Sequence, residues 1–389
     1  MVRLSPLPRE ADFSSRLRSP AVAARVGVWL AACFTVAFLT GLYSHFAQAQ
    51  VWWLPYPTRP VWLYRVSQGL HVLTGTAAIP LLLVKLWTVF PKLFQKVPTG
   101  STRTLALHGL ERGSVAVLVA SAIFMLATGL SNAAQWYPWA FSFRSTHYSV
   151  AWIAVGALVV HIGVKLPTIR QALGAPLEDG SQDRPSTKQV SSGLSRRGLL
   201  RSTWVAAGLA VLASAGSTVP ALRNVSVFGV RSGAGPQDVP VNKSAKAARV
   251  NATALDPAQR LTVSYGGQQV ELSRRELERL PQTTVDLPIA CVEGWSASGT
   301  WTGVRVRELL ALVEAPSGSD VRVVSLQRQG PFRETTLQAA FADDPLTLLA
   351  LRLNGEALSI DHGYPCRLIA PNRPGVLQTK WVDRLEVAT

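Results

Sequence analysis

The sequence predicts a multi-domain chain: an all-α transmembrane bundle of four helices, a fifth spanning helix, and then an α+β domain. Three observations carry this. Four apolar segments, at residues 24–47, 62–90, 113–133 and 147–166, are each long enough to cross a bilayer. The formal charge of +16 belongs to one half, since residues 1–225 carry 21 Lys+Arg against 6 Asp+Glu while 226–389 carry 18 against 17. After residue 222 the long apolar runs give way to short alternating stretches with glycine-containing turns.

The basic residues orient the spans. Most of those in the first half cluster up to Arg25, between Lys85 and Arg112, and between Lys165 and Arg201. Only Arg59, Arg65, Arg144 and Arg223 fall on the side of the loops 48–61 and 132–146. By the positive-inside rule the N-terminus and the 167–201 stretch are cytoplasmic. Trp52-Trp53 and Trp136-Tyr137-Pro138-Trp139 fit aromatic belts at the outer face. Charge distributed in this way reports membrane orientation, and nucleic acid is not an expected partner.

Residues 171–195 are polar and rich in Gly, Pro and Ser, a flexible linker. Arg196-Arg197 ahead of a moderately apolar run resembles a twin-arginine export signal in an internal position. The alternative is an ordinary fifth span with a basic flank. Either reading puts residues after 222 outside the cytoplasm, and Ala213-Ser214-Ala215 resembles a cleavage site. The expected organisation is a four-span membrane domain over 1–170, a cytoplasmic linker over 171–201, a fifth transmembrane helix over 202–222 and an exoplasmic domain over 223–389.

Five of the six histidines lie in or beside the four apolar segments. A ring nitrogen inside a bilayer is costly and usually functional. His147 and His161 are 14 residues apart on one predicted helix, so they share a face and sit about 21 Å apart along the axis. That spacing suits one haem near each membrane face. His71 lies at a depth similar to His147, which makes these two the preferred outer pair, and His108 with His161 forms the candidate inner pair. The competing reading of the outer pair is a core histidine bonded to a carbonyl on a neighbouring helix. His45 reads as a headgroup-facing residue. The arrangement over 24–166 resembles the di-haem cytochrome b subunits that link quinone to exported oxidoreductases. The resemblance implies one or two haem b groups as cofactors and quinone or quinol as a partner within the membrane. In that family the inner haem usually takes a ligand from the first span, which here has no histidine near its inner end.

In the C-terminal part, Leu261–Tyr265 and Gln268–Leu272 flank Gly266-Gly267, a hairpin signal. Further strands are expected at Val321–Leu326, Leu349–Leu353, Cys366–Ile369 and Trp381–Val387. Helices are expected at Ser273–Leu280, opened by a Ser273/Glu276 capping box, and at Arg305–Val313. Cys33 and Cys366 read as small apolar fillers. Cys291 ends an apolar strand and enters the polar segment Val292-Glu293-Gly294-Trp295-Ser296. A thiolate there is a nucleophile or a soft-metal ligand. By spacing alone a structural buried cysteine is the plainer reading, since the domain's only histidine is His362.

Four blocks change that reading: ACVEGWSASGTWTGVRVRELL (290–310), QGPFRETTL (329–337), DDPLTLLALRLNGEALSIDHGYPCRLIAP (343–371) and QTKWVDRLEV (378–387). Together they resemble the molybdopterin-binding domain of the sulfite oxidase family. The resemblance implies a sulfite oxidase-like α+β fold, a molybdopterin cofactor and a molybdenum ligated by the Cys291 thiolate. It also places phosphate or pterin contacts at Arg367 and Lys380, with His362 and Tyr364 beside them and Asn242 and Arg373 as further candidates. Glu293, Trp295 and Trp301 are candidates for the substrate pocket. Sulfite-oxidising members follow the metal cysteine with a Gly-Asn-Arg-Arg type segment. Here Glu293, Gly294, Trp295 and Ser296 stand in its place, and a carboxylate and an indole would repel a dianion. The expectation is therefore a membrane-bound enzyme that passes electrons between the quinone pool, haem b and an exoplasmic molybdenum site. It would reduce a small S-oxide or N-oxide, as the exported methionine sulfoxide reductases of this family do. The alternatives are a dehydrogenase running in the oxidative direction and a cofactor-free binding or sensor domain on a haem anchor.

Overall fold

The computed structural model describes residues 8–13, 15–51, 53–97, 100–181, 183, 193–229 and 235–387. Trp52 of the outer aromatic pair and residues 184–192 of the linker lie outside the described residues. The chain divides into two compact units, Met1–Thr40 with Leu70–Ser214, and Gly41–Gly69 with Ala215–Thr389.

The N-terminal region is helical, followed by an α+β domain, as expected. Its long helices are α1 (Pro20–Ala49), α2 (Leu63–Val89), α3 (Thr102–Ala133), α4 (Phe143–Gly174) and α5 (Arg196–Ala215). Each of these described helices is long and apolar enough to cross a membrane. Helix α3 starts well ahead of the apolar segment that announces it. Ser101 caps it by accepting from the Thr104 N–H, and its first turns carry Arg103, Glu111 and Arg112. These residues are compatible with a helix but not with an apolar window, so His108 lies inside α3 rather than before it. In the first unit Val22, Val26 and Leu81 pack α1 on α2, and Phe38 meets Trp152 of α4 edge-on at 5.0 Å. Leu83 and Val159 stay more than 60% exposed, a surface suited to lipid rather than water. Arg196 is buried. It donates to the carbonyls of Arg16, Leu177 and Asp179 and pairs with Asp183.

The second unit contains two sheets. Their strands are β1 (Leu261–Tyr265), β2 (Gln268–Leu272), β3 (Thr283–Ala290), β4 (Ser296–Arg305), β5 (Val321–Ser325), β6 (Glu334–Leu337), β7 (Leu348–Leu353), β8 (Glu356–Ala357), β9 (Arg367–Ile369) and β10 (Val382–Val387). One sheet runs β2-β1-β10-β5-β6, with β1 parallel to β10 and the other neighbours antiparallel. The other runs β3-β4-β7-β8, with β9 also pairing β7. The β1–β2 turn puts Gly266 and Gly267 at positive φ, where side-chain-bearing residues are strained. The capping box of Ser273 and Glu276 starts the helix Arg274–Arg279 as expected.

Strand β4 was not anticipated. Its SASGTWTGVR run lacks an apolar stretch, and it is buried because it lies between β3 and β7. At Gly303 a Cβ would stand 2.1 Å from the Leu349 carbonyl oxygen, so only glycine permits this approach of β4 to β7. One core cluster of this unit joins Val304, Leu309, Leu368 and Leu385 to Ala47, Tyr56 and Tyr64 from the ends of α1 and α2 and the loop between them. Arg59 grips Asp344 with two hydrogen bonds, at 2.7 and 3.1 Å. The Tyr64 N–H donates to Asn372 Oδ1 at 2.6 Å.

Candidate functional site

Cys291 is the first residue of the connection between β3 and β4. Its N–H donates to the Trp295 carbonyl at 2.9 Å, and its own carbonyl accepts from the Gly294 N–H at 3.0 Å. These two bonds close a compact loop with Gly294 at φ +88°. The thiol is buried. Gly375 supports the strand end from behind: a Cβ there would stand 2.7 Å from the Ala290 carbonyl oxygen.

Beside the thiol lies a pocket of about 150 Å³, lined among others by Asn242, Lys243, Trp295, His362, Arg367 and Lys380. Three cations therefore face one small space. Lys380 Nζ donates to Asn242 Oδ1 at 3.1 Å, to the Asp361 carbonyl at 3.0 Å and to the Lys243 carbonyl. Burial, reinforced by the nearby Arg367 charge, pushes the Lys380 ammonium down to about 7. Arg367 donates to the carbonyls of His362 and Gln378, both at 3.2 Å. Its Nε is buried without a partner, and burial lowers the guanidinium to about 9. His362 bonds the Pro236 carbonyl through Nε2 at 2.7 Å, and burial, with Arg367 adding to it, lowers the ring to about 4. Buried cations with little compensating negative charge call for an anion.

The structure thus gathers Cys291, Trp295, Asn242, His362, Arg367 and Lys380 around one pocket. Glu293, Tyr364 and Arg373 are not among its lining residues. Glu293 accepts from the Trp295 indole N–H at 3.0 Å. Tyr364 packs under the Arg274 guanidinium at 4.7 Å. Arg373 is buried, donating to the carbonyls of Leu377 and Thr336 at 3.1 and 2.8 Å while its Nη1 has no partner. Trp301 is fully buried in the core, with Arg367 over its ring at 5.1 Å. Cys366 donates to the Val382 carbonyl, and burial raises its thiol to about 12. Sequence reasoning missed Lys243, Gln327, Gln378 and Thr379, which also line the pocket. Their one signal was adjacency, Lys243 to Asn242 and Gln378-Thr379 to Lys380.

In the first unit, His71 and His147 come together with ring centres 6.3 Å apart. His71 Nδ1 pairs with the Ala37 carbonyl at 2.8 Å, and His147 Nδ1 with Thr128 Oγ1 at 3.0 Å. His108 and His161 make no ring contact with each other among the described residues. His108 Nε2 is buried without a hydrogen-bond partner, and Glu111, one turn further along α3, pairs with Lys165 of α4.

An α+β domain with a thiol beside a buried cationic pocket has the makings of a redox-cofactor site. Residues 249–389 match the family model of the oxidoreductase molybdopterin binding domain, and this C-terminal part of the chain is a domain of that family. Among curated proteins, the chain is 35% identical over 112 residues to a protein named as the YedZ1 subunit of protein-methionine-sulfoxide reductase from Azospira oryzae, covering 29% of this chain and 42% of that one. It is 32% identical over 112 residues to sulfite oxidase of Arabidopsis thaliana, covering 24% and 28%, and 28% identical over 162 residues to mitochondrial sulfite oxidase of Rattus norvegicus, covering 34% and 30%. The chain spans less than half the length of these relatives.

Proposed function

We propose that the protein is a membrane-bound molybdopterin-dependent oxidoreductase that moves electrons between the quinone pool, haem b and an exoplasmic molybdenum site, reducing a small S-oxide or N-oxide. The observation that carries this reading is the cationic pocket beside Cys291, lined by Lys243, Arg367 and Lys380. The residues fit the cofactor: a soft thiol for the metal and buried cations for a terminal phosphate. When bound, the cofactor supplies two-electron oxygen-atom transfer at molybdenum.

The chain's own residues do the rest. Cys291 would hold the metal. Lys380, Lys243 and Arg367 would hold the phosphate, and an anion beside Lys380 would favour its charged ammonium, which burial and the Arg367 charge push down. Asn242 orients Lys380, and His362 stays neutral and offers its carbonyl to Arg367. Arg373 ties the segment 373–377 to β6, which steadies the pocket wall at Gly375 and Val376. Tyr364 steadies Arg274, which itself donates to the Pro365 and Leu351 carbonyls. Trp295 lines the substrate side with Glu293 bonded to its indole. The segment 293–296 carries none of the cations of the sulfite-oxidising members, which suits a neutral S-oxide or N-oxide better than a dianion.

His71 and His147 are the proposed haem ligands. Their ring centres lie 6.3 Å apart, and the two would hold the haem iron between them. Each Nδ1 is engaged by a protein oxygen, which would leave Nε2 of each ring for the iron, the usual division of labour in metal-binding histidines. Haem b supplies one-electron transfer when bound. His108 and His161 as an inner pair rest on helical spacing and the unpartnered His108 Nε2 alone. The proposed organisation keeps the four-span domain over 1–170, the linker with its twin-arginine-like motif over 171–201, whose last residues from Arg196 already belong to α5, and the oxidoreductase domain over 223–389; the fifth spanning helix, expected over 202–222, is Arg196–Ala215. The exoplasmic location follows from the charge distribution. It is supported by the loop between α1 and α2, which belongs to the same compact unit as the C-terminal domain.

Elemental analysis of the detergent-purified full-length protein tests the proposal. About one molybdenum with one or two iron atoms per chain is expected. Iron without molybdenum, from a host able to make the cofactor, overturns it.

A further inference from the structure

The family match begins at residue 249, yet residues outside that match bond the loop carrying Cys291 at two of its carbonyls. Thr218, three residues past the end of α5, donates from its hydroxyl to the Gly294 carbonyl at 2.6 Å. The neighbouring Ser217 carbonyl accepts from the Ser296 N–H at 2.8 Å. From the other side, Gln68 of α2 donates through Nε2 to the Val292 carbonyl at 3.4 Å. The fit is close, since a Cβ on Gly69 would stand 2.9 Å from Thr218 Cγ2.

Cys291 and Trp295 close the loop internally, and the next two outward carbonyls, at 292 and 294, are both taken from segments that border proposed membrane spans. A five-residue loop fixed at both ends and at these carbonyls has little freedom left. We infer that Gln68 and Thr218 are positioning residues for the Cys291 thiolate, so that the chain flanking the spans completes the molybdenum site. The inference rests on the oxidoreductase reading. Neither residue lines the pocket, and both bond the loop backbone.

The test uses full-length protein in detergent and compares Thr218→Val, Thr218→Ser and Gln68→Leu with wild type. Molybdenum per chain, the paramagnetic resonance spectrum of the half-reduced metal and turnover are measured on each. Thr218→Val and Gln68→Leu should load molybdenum but show a displaced or broadened metal spectrum. Their turnover should fall by about tenfold to a hundredfold, the usual consequence of a small misplacement at a reacting centre. Thr218→Ser keeps the hydroxyl and should keep the wild-type spectrum. Should Thr218→Val fail to fold, Gln68→Leu carries the same test at the other carbonyl. A wild-type spectrum in loaded Thr218→Val or Gln68→Leu overturns the inference while leaving the oxidoreductase reading intact. Wild-type protein without molybdenum overturns the reading itself.

Discussion

His71 and His147 project from helices whose backbones are complete without them, and each ring is steadied by one short hydrogen bond, to Ala37 and to Thr128. Cys291 is placed by a loop, and that loop is held by bonds from Trp295, Gln68, Ser217 and Thr218. In a bilayer the helix must satisfy its own backbone, so position comes almost free and only ring orientation needs an added bond. Loops carry many unpaired backbone groups, and a site built on loops has to recruit partners from elsewhere in the chain. One site is rigid because of its elements, the other because of its contacts.

Four predictions bear on this contrast. Cys291→Ser should abolish turnover while leaving the haem absorption spectrum untouched; loss of both signals would mean the two sites are not separately built. His147→Ala should remove the haem absorbance with molybdenum content unchanged, as read by visible spectroscopy and elemental analysis. Thr128→Val removes only the steadying bond, and the expected cost is about tenfold to a hundredfold in haem retention under competition with apomyoglobin. The last prediction reads stability rather than a cofactor, and concerns His362. Its folded value of about 4 lies below the ordinary value of 6.5, so the unfolded chain binds more protons between these limits. The stability associated with the neutral ring is complete above pH 6.5 and declines by about 3 kcal/mol as pH falls through 4. His362→Gln should flatten that decline in thermal melts recorded between pH 6.5 and 4. An unchanged slope would place the acid sensitivity elsewhere.

What the sequence made legible follows the same division. Span positions come from runs of apolar residues, the β1–β2 hairpin from Gly266-Gly267 and the start of the helix Arg274–Arg279 from Ser273 and Glu276, because each is a local pattern. The outward half of the site was also readable where motif blocks contain it, as at Cys291, Arg367 and Lys380. Strand β4 was not readable, since its small and polar residues are buried only through neighbours on both sides. The pairing of Arg59 with Asp344 and of Tyr64 with Asn372 joins residues about 300 positions apart, and no local pattern encodes a contact of that kind. Arg373 and Tyr364 carry the residue types of a binding site, yet their partners are the walls of the pocket rather than its space.

The core cluster that includes Tyr56 and Tyr64 also includes Leu368 and Leu385, which gives the protein an order of assembly. During synthesis the chain between α1 and α2 emerges long before the residues it packs against, and it must wait, partly uncovered, until the last strands are made. Contacts of such long sequence separation close late and slowly. A chain arrested before β10 would leave this cluster, Tyr56 and Tyr64 included, without Val382, Leu385 and Val387 and so only partly closed.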